Sequence, residues 1–463
     1  MWNGPPLPQS SDMRSHKRLP HSRTRRALVA ALVVGACAAA VPAVGLPGGP
    51  DGPGSGTGTG GTDSRADAAS ARPVRLSLAR PTGPFGVGTT ELHLVDETRR
   101  DPWGGEGRRE LMASVWYPAR HGSGGERAPY MRPGAAKVFG KGAAEVLKLP
   151  AGTVDWAGTR THARLGAEVS PKAGRAPVVL FSPGGFNERT LGTSTAEQLA
   201  SEGYVVVTID HPGEAHAVEF PDGRVVEPSP ELQKIKDQAQ RWRRMLEVRV
   251  ADTHFVTARL RSLAKGDNPD AERRALPRGL AKAMDMEKLG MFGHSMGGVT
   301  TAEAMREDPG IDAGVDLDGP LGLSWTDPGK LLPVARTGLD RPFLLMGTKL
   351  FREDESVAPH THRESPSWKS FWEHSPGWKR DLWWPKAAHN SLTDYQSLLP
   401  QLDRRAELPR GLRESMIGTV DPERSVSSQR AYLTAFFDRH LRGQSRPVLD
   451  GPSPRHPDVR FIR

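Results

Sequence analysis

The chain has 463 residues, of which 25% are charged and 6% aromatic, a composition typical of a globular protein with one large domain or two ordinary ones. Its formal net charge is +9, but residues 1–46 hold six basic residues and one acid, so the remainder carries only +4. That surplus is too small for a surface that binds a phosphate backbone, and we expect no nucleic-acid partner. The one cysteine, Cys37, excludes a disulfide, a thiolate metal site and a cysteine nucleophile from the rest of the chain.

Residues 1–46 have the order of regions that is typical of an export signal. A basic stretch precedes the apolar run Ala27–Leu46, which holds small residues suited to cleavage after Ala40 or Ala43. The paired arginines before the run resemble a twin-arginine signal. The run is also long enough to cross a bilayer, and Cys37 stands where a lipoprotein carries its lipid, so a membrane or lipid anchor is the alternative. We expect a secreted protein.

The next segment, residues 47–73, is rich in glycine and proline and has almost no large apolar side chain. Such a segment cannot bury enough surface to offset the entropy lost on ordering, so a disordered linker is predicted. We therefore expect a signal (1–46), a linker (47–73) and one folded domain (74–463).

The first predicted elements of that domain are two strands, Thr90–Thr98 and Glu110–Ala119, whose alternation of apolar and polar residues favours an antiparallel pair. Six later apolar segments are predicted as buried strands: Ala176–Gly185, Tyr204–Gly213, Lys288–Ser295, Ala313–Pro320, Arg341–Lys349 and Arg380–Asn390. Helical patterns cover Thr193–Tyr204, Pro230–Gly266 and Val426–Gly443. Strands alternating with helices predict a doubly wound, mostly parallel sheet, and antiparallel strands in front of it are typical of the α/β-hydrolase fold.

Ser295 lies in the pattern G-x-S-x-G, between Gly293 and Gly297. A strand pattern precedes it and a helix pattern follows, as at a nucleophile elbow, where glycines avoid clashes with neighbouring backbone. A serine hydroxyl is a weak nucleophile until an adjacent base activates it. We predict that Ser295 is a catalytic nucleophile; the alternative is a structural serine in a glycine-rich turn.

The base should be a histidine after a late strand, in the chain order Ser, acid, His. Six histidines follow the serine: His360, His362, His374, His389, His440 and His456. The first three lie in a polar, proline-containing insertion, where we expect solvated surface positions, and the last two lie in the closing helix and a proline-rich tail. His389 directly follows the last predicted strand and is the predicted base. His294, beside the nucleophile, is expected to be a packing residue.

The acid should end a strand between the nucleophile and the base. Asp316 and Asp318 are both candidates, since residues i and i+2 of a strand point to the same face. Asp318 stands at the strand end, before Gly319–Pro320. We predict that it orients the imidazole of His389 and that Asp316 is a supporting carboxylate in the sheet.

An oxyanion hole needs two N–H donors aimed at the developing negative charge. The amide of Met296, directly after the nucleophile, is the first predicted donor. The second should come from the turn after the early strand, FSPGGF, where glycines let the backbone approach a substrate. Gly185 is the predicted donor, with Phe186 as the alternative.

These motifs resemble the platelet-activating-factor acetylhydrolase family of serine esterases, plasma and intracellular type II, and related bacterial secreted lipases and polyester hydrolases. The matching stretches include VVLFSPGGF, LASEGYVVVTIDH, GHSMGG, AGVDLDG and AHNSLTDY, in the same order over Pro81 to Leu441. The resemblance implies a triad, two oxyanion donors and no metal or other cofactor; the residues concerned are Ser295, Asp318, His389, Gly185 and Met296. The chain departs from the family at Pro183–Gly184, where the acetylhydrolases usually carry His-Gly.

The predicted function is that of a secreted serine ester hydrolase, with a lipid-like, phospholipid or short-acyl ester as its substrate. The alternatives are a polyester or long-chain lipase, and a non-catalytic lipid-binding surface protein on the same fold. The aromatic cluster Trp368–Trp384, just before His389, has three interpretations: a wall of the acyl pocket, a patch that docks on a membrane surface, or packing of an insertion onto the sheet edge.

Overall fold

The strands of the described residues, 72–351 and 356–463, build one large sheet in the computed structural model of the chain. The predicted export signal and nearly all of the predicted linker lie outside these residues. In chain order the strands are β1 (Gly86–Arg100), β2 (Arg108–Ala119), β3 (Arg127–Pro129), β4 (Arg160–Leu165), β5 (Ala176–Ser182), β6 (Val205–Ile209), β7 (Val218–Glu219), β8 (Val225–Val226), β9 (Met284–His294), β10 (Ala313–Leu317), β11 (Phe343–Gly347), β12 (Lys349–Phe351), β13 (Val357–Pro359), β14 (Lys379–Trp383) and β15 (Arg460–Ile462).

Eleven of these strands pair in the order β15-β14-β11-β10-β9-β5-β6-β2-β1-β4-β3. The run from β14 to β6 is parallel throughout. Strand β2 pairs antiparallel with both β1 and β6, and β15 pairs antiparallel with β14 at the far edge. The predicted mostly parallel sheet with antiparallel N-terminal strands is confirmed.

The α-helices of the described residues are α1 (Pro133–Leu147), α2 (Thr193–Ser201), α3 (Pro230–Lys234), α4 (Gln238–Ala264), α5 (Leu280–Ala283), α6 (Met296–Glu307), α7 (Pro333–Thr337), α8 (Pro366–His374), α9 (Tyr395–Ala406), α10 (Leu412–Ile417) and α11 (Pro422–Arg442). The single helical region predicted over Pro230–Gly266 is wrong in one respect, because α3 ends before α4 begins. Asp237 causes the break: it has extended backbone angles, and its carboxylate accepts the N–H of Gln240 at 2.6 Å, which starts a new helix. Helix α1, which begins with a proline at its first turn, was not predicted.

The hydrophobic core lies on both faces of the sheet. Along β5, Val178 and Leu180 pack into one cluster, while Val179 and Phe181 pack into the cluster on the other face. Alternate side chains of a strand point to opposite faces, so a strand covered on both sides is apolar at every position. This is why the central strands have unbroken apolar sequences. Within the described ranges, no helix is both long and apolar enough to cross a bilayer.

A buried glutamic acid, Glu197, connects α2 to β4, the strand next to the edge of the sheet. One oxygen of Glu197 accepts the backbone N–H groups of His162 and Ala163 on β4, at 2.6 and 2.7 Å. The Glu197 side chain is fully buried, and burial raises its pKa to about 8 even though the two N–H groups favour the charged form. Glu197 is therefore protonated in the folded protein at neutral pH.

We predict that the free energy of unfolding of Glu197→Gln increases relative to that of the wild type as the pH rises. Because the folded-state pKa of Glu197 is raised from 4.5 to about 8, its contribution to stability is complete below pH 4.5 and is lost as the pH rises towards 8. Glutamine keeps an acceptor oxygen and cannot ionise. Denaturant unfolding at pH 5 and pH 9 should show the free energy of unfolding shifting in favour of the variant, by up to about 1.4 kcal/mol per pH unit inside that window. A difference in the free energy of unfolding between variant and wild type that does not change with pH would contradict the raised pKa of Glu197.

Candidate active site

Ser295 lies at the sharp turn between β9 and α6, with φ 54° and ψ −120°. A positive φ is uncommon outside glycine and marks local strain. The backbone N–H of Ser295 donates to Leu317 O at 2.9 Å, and the carbonyl of Ser295 accepts from Gly298 N–H at 2.9 Å, so both ends of the strained residue are fixed. The turn holds the side chain above the carboxyl ends of the parallel strands, where α/β sheets place their active sites.

Close backbone contacts explain the glycines of the G-x-S-x-G pattern. A Cβ atom on Gly293 would lie 2.1 Å from the carbonyl carbon of Gly297, and one on Gly297 would lie 1.9 Å from Ser182 O. Neither position can hold a larger residue without moving the main chain. The second contact also joins the serine turn to the end of β5, where the predicted oxyanion loop begins.

The Asp318 carboxylate, fully buried after β10, is the most heavily hydrogen-bonded group of the site. Its Oδ1 accepts from Thr348 N–H at 2.7 Å and from His360 Nδ1 at 2.8 Å. Its Oδ2 accepts from Thr348 Oγ1 at 2.6 Å and from His389 Nδ1 at 2.8 Å. Burial alone would raise the pKa of Asp318, but the hydrogen bonds from the two histidines outweigh it and hold that pKa well below its usual range.

Asp316, the other candidate acid, lies on β10 and its Oδ1 accepts the N–H of Gly319 at 2.8 Å. Burial raises its pKa well above the ordinary value, which favours the neutral form of this side chain inside the sheet. The structure brings Asp318, and not Asp316, to the predicted base His389.

His389 is 7% exposed and donates through Nδ1 to Asp318, which leaves Nε2 on the side facing the cavity. The ring of His294 lies against it, with centroids 4.5 Å apart, and His294 Nε2 donates to the carbonyl of His389 at 2.9 Å. Burial, together with the nearby His389 ring, lowers the pKa of His294 to about 3, so His294 is neutral at neutral pH. His294 thus packs against the predicted base and fixes its backbone.

Ser295 and His389 line the same cavity at the carboxyl ends of the strands. Among the described residues, no hydrogen bond joins the Ser295 hydroxyl to a nitrogen of His389. Catalytic hydrogen bonds are often long in structures without a substrate and shorten when one binds. The arrangement places both groups against the space that a substrate would fill.

The two predicted oxyanion donors are neighbours. A Cβ atom on Gly185 would lie 3.8 Å from Met296 Cβ, so the loop after β5 passes beside the start of α6. The alternative donor, Phe186, has its N–H directed to Glu214 Oε1 at 3.3 Å. Within the described residues, the N–H groups of Gly185 and Met296 have no protein acceptor, which favours Gly185 over Phe186.

The cavity is lined mostly by apolar side chains. Helix α1 contributes Phe139 and Val146, and α4 contributes Trp242 and Met245. Trp325 contacts His389 edge to face, with ring centroids 5.5 Å apart. No Asp, Glu, Lys or Arg is among the described residues that line it; its ionisable side chains are histidines and a tyrosine.

The prediction that His360 and His362 lie on the solvated surface is wrong. Both are buried, at 0% and 8% exposure, because the hairpin of β12 and β13 returns the chain to the sheet. His360 donates to Asp318 and stacks on Trp368, whereas His362 donates to Asp381 at 2.7 Å and stacks on Trp372. His374 is exposed, as predicted. His360 is a site residue that the sequence interpretation missed.

The Trp368–Trp384 cluster packs an insertion onto the sheet. Trp368 and Trp384 are fully buried, and Trp368 Nε1 donates to Gly319 O at 2.7 Å. The other tryptophans of the cluster are half-buried, and none of them lines the cavity of Ser295. The structure favours packing over an acyl-pocket wall or an exposed docking patch.

Three comparisons with known proteins bear on this geometry. The sequence model of the family described as platelet-activating factor acetylhydrolase, isoform II, matches residues 77–362, more than half of the chain. The chain belongs to this family. A probable 1-alkyl-2-acetylglycerophosphocholine esterase of Arthroderma benhamiae is 28% identical over 418 residues, which cover 85% of this chain and 96% of that protein. The structure of a ferulic acid esterase from Streptomyces cinnamoneus is 32% identical, with a TM-score of 0.64, and covers 84% of this chain and 100% of that one.

Membership of the platelet-activating factor acetylhydrolase family confirms the resemblance stated from the motifs, and it confirms the α/β-hydrolase fold. The protein is a carboxylic ester hydrolase.

We predict that His360→Phe lowers kcat for p-nitrophenyl acetate by about tenfold, because Asp318 loses one of its donors while the ring stacked on Trp368 is kept. His362→Phe is the matched control, since His362 also stacks on a tryptophan and bonds a buried aspartate away from Ser295. Both variants should melt at lower temperature, and only the first should lose activity. Equal kcat values in the two variants would show that His360 matters for packing alone.

Proposed function

We propose that the protein is a secreted serine esterase that acts on lipid-like or short-acyl esters through an acyl-enzyme. The observation that carries the proposal is the bond of 2.8 Å between His389 Nδ1 and Asp318, beside a serine on a strained turn in the same cavity. In this mechanism Ser295 is the nucleophile, His389 the general base and Asp318 the acid that orients the base.

The first half-reaction acylates Ser295. His389 Nε2 takes the proton of the Ser295 hydroxyl as the oxygen attacks the ester carbonyl, and the imidazolium is stabilised by the ionised Asp318. The tetrahedral oxyanion is stabilised by the N–H groups of Gly185 and Met296. Collapse of the intermediate breaks the ester C–O bond, and the imidazolium returns its proton to the leaving alcohol.

The second half-reaction releases the acyl group. Water enters where the alcohol has left, His389 removes one of its protons, and the resulting hydroxide adds to the acyl carbonyl. The same two N–H groups stabilise the second oxyanion. Protonation of Ser295 Oγ by His389 then frees the acid and restores the enzyme.

A lining without carboxylate, ammonium or guanidinium groups supports a neutral, apolar group next to the scissile ester. Burying an unpaired charge in such a cavity costs several kcal/mol. A phosphate or quaternary amine would therefore lie outside the cavity, in solvent. This is compatible with the acetylated phospholipid in the name of the Arthroderma relative, provided that the headgroup stays outside.

Esters of aromatic acids are a second candidate. The cavity is bounded by the rings of Phe186, Trp242 and Trp325, which offer faces and edges to a planar substrate. The structural neighbour from Streptomyces cinnamoneus is named a ferulic acid esterase.

A panel of esters tests both candidates on the wild type and on Ser295→Ala. It contains p-nitrophenyl esters from acetate to palmitate, an acetylated glycerophosphocholine and methyl ferulate. We expect wild-type turnover to be highest for uncharged short-acyl esters, and Ser295→Ala and His389→Ala to lower kcat by at least ~10³-fold.

A fluorophosphonate should label the wild type at Ser295 and not label Ser295→Ala. Wild-type activity in the Ser295→Ala or His389→Ala variant would refute the triad. A preference for palmitate would instead indicate a long-chain lipase, and a preference for methyl ferulate would indicate an aromatic-acid esterase.

We also propose that residues 1–46 direct export. Their basic stretch and apolar run support this, and the alternative is an anchor through the run or through lipidated Cys37. Mass spectrometry of the N-terminus of protein from the culture medium should find cleavage after Ala40 or Ala43. Protein that stays with the membrane fraction and carries a lipid on Cys37 would contradict secretion.

A further inference from the structure

A buried ion pair lies directly behind the predicted oxyanion loop. Arg249 on α4 and Glu214, in the segment after β6, are both fully buried, and Arg249 Nε lies 2.9 Å from each carboxylate oxygen of Glu214. A buried ion pair contributes little to stability, because the loss of hydration offsets most of the attraction. The contacts of the pair therefore suggest another role.

The guanidinium of Arg249 binds three consecutive residues of the loop. Its Nη1 donates to Pro183 O at 2.6 Å and to Ser182 Oγ at 3.2 Å, and its Nη2 donates to Gly184 O at 2.9 Å. The Gly184 carbonyl also accepts the N–H of Asn187 at 3.1 Å. A planar group with several N–H donors in a fixed geometry can hold two successive carbonyls, and lysine, with one nitrogen, cannot reproduce it.

The fixed carbonyl determines the direction of the next N–H. The described residues contain no cis peptide bond, and in a trans peptide the C=O and the following N–H point in opposite directions. With the Gly184 carbonyl turned towards Arg249, the Gly185 N–H is turned away from it.

Glu214 and the following segment fix the other side of Gly185. Phe186, at a strained φ of 64°, donates its N–H to Glu214 at 3.3 Å, and its carbonyl accepts the N–H of His216 at 2.9 Å. The peptide groups on both sides of Gly185 are therefore held by Arg249 and Glu214, neither of which lines the cavity. The Gly185 N–H remains available to a ligand.

We propose that Arg249, with Glu214, is a positioning residue that orients the Gly185 N–H as an oxyanion donor. The proposal rests on the proposed function, in which Ser295 forms a tetrahedral intermediate. Arg249 acts through the backbone and touches no substrate.

A second Ser-His-Asp set supports the same loop. Ser182 Oγ lies 3.1 Å from His211 Nε2, and His211 Nδ1 lies 3.0 Å from Asp252 Oδ2. All three residues are at most 1% exposed, so no ester can reach them. Burial, followed by the charge of Arg249, lowers the pKa of His211, and a neutral His211 can accept the Ser182 proton, which leaves the Ser182 oxygen to accept from Arg249. We assign this set to support of the loop.

The test compares three variants with the wild type. Arg249→Met/Glu214→Gln removes both charges together and so leaves no unpaired buried charge. Arg249→Lys keeps the charge and loses the planar fork. Arg341→Lys is the control, because Arg341 also holds several main-chain carbonyls, those of Met305, Asp308 and Ile311, near the end of α6 that is remote from Ser295.

The measurements are kcat and KM for p-nitrophenyl acetate, the inhibition constant of an aryl trifluoromethyl ketone, whose adduct with serine carries an oxyanion, and the melting temperature. We expect the double variant to lose about 10²-fold in kcat with KM changed by less than about threefold, and to bind the ketone more weakly by a similar factor. Arg249→Lys should fall between the double variant and the wild type, and Arg341→Lys should keep wild-type kcat and ketone affinity.

Wild-type kcat and ketone affinity in a folded double variant would overturn the proposal. If the double variant does not fold, Arg249→Lys decides in the same way. A loss of kcat without a loss of ketone affinity would also overturn it, because the loop would then serve another step. Ser295→Ala distinguishes a failure of the proposed function from a failure of this inference. Full activity of Ser295→Ala would refute the proposed function. An inactive Ser295→Ala together with fully active Arg249 variants would refute only the positioning role of Arg249.

Discussion

One buried carboxylate holds the candidate active site together. Asp318 accepts hydrogen bonds from His389, His360 and both donors of Thr348, which lie on separate segments of the chain. Burial raises the pKa of a carboxyl group that has fewer such partners, as it does for Asp316 two residues earlier, whose Oδ1 accepts a hydrogen bond from Gly319 N–H. The same bonds that keep Asp318 ionised therefore fix where the segments after β11, β13 and β14 meet. The position of His389 therefore follows from the hydrogen bonds that stabilise the charge of Asp318.

Three of the six non-glycine residues that have positive φ in the described part of the chain lie at this site. Phe186, Ser295 and Asp318 all have positive φ without being glycine, and each belongs to a different segment of the site. Such conformations cost of order 1–3 kcal/mol each and persist only where the surroundings over-determine them. Here the surroundings are hydrogen bonds to main-chain groups on both sides of Phe186 and Ser295, and four donors around Asp318. The contact between Gly297 and Ser182 O further links two of these strained turns.

The sequence predicts a site residue where a local pattern alone determines its place in the fold. Ser295, Asp318 and His389 are predicted to lie together because each follows an apolar strand, and the carboxyl ends of parallel strands lie along one edge of a sheet. The structure brings Asp318 to His389 and places Ser295 and His389 on one cavity, while their catalytic roles stay a prediction. His360 was missed because its burial depends on the short hairpin of β12 and β13, and a polar, proline-containing stretch resembles surface. Arg249 was missed for a similar reason: Arg243 and Arg244 on the same polar helix are exposed, and only tertiary packing distinguishes Arg249 from them. Strands β3 and β15 have three residues each, too few for a periodic pattern.

The placement of charge relative to the cavity constrains the chemistry. The cavity wall carries no carboxylate, ammonium or guanidinium among the described residues, yet Arg249 and Glu214 lie directly behind it. Because their charges are equal, opposite and within hydrogen-bonding distance, their fields largely cancel at the distance of a substrate. Their effect on the cavity is therefore to orient the peptide groups of the loop on either side of Gly185. An oxyanion formed there would be met by neutral N–H dipoles that are already oriented, and a neutral ester could enter without meeting an unpaired charge. The structure thus separates the buried charges of Arg249 and Glu214 from the lining of the cavity, and this separation supports the proposed preference for uncharged esters.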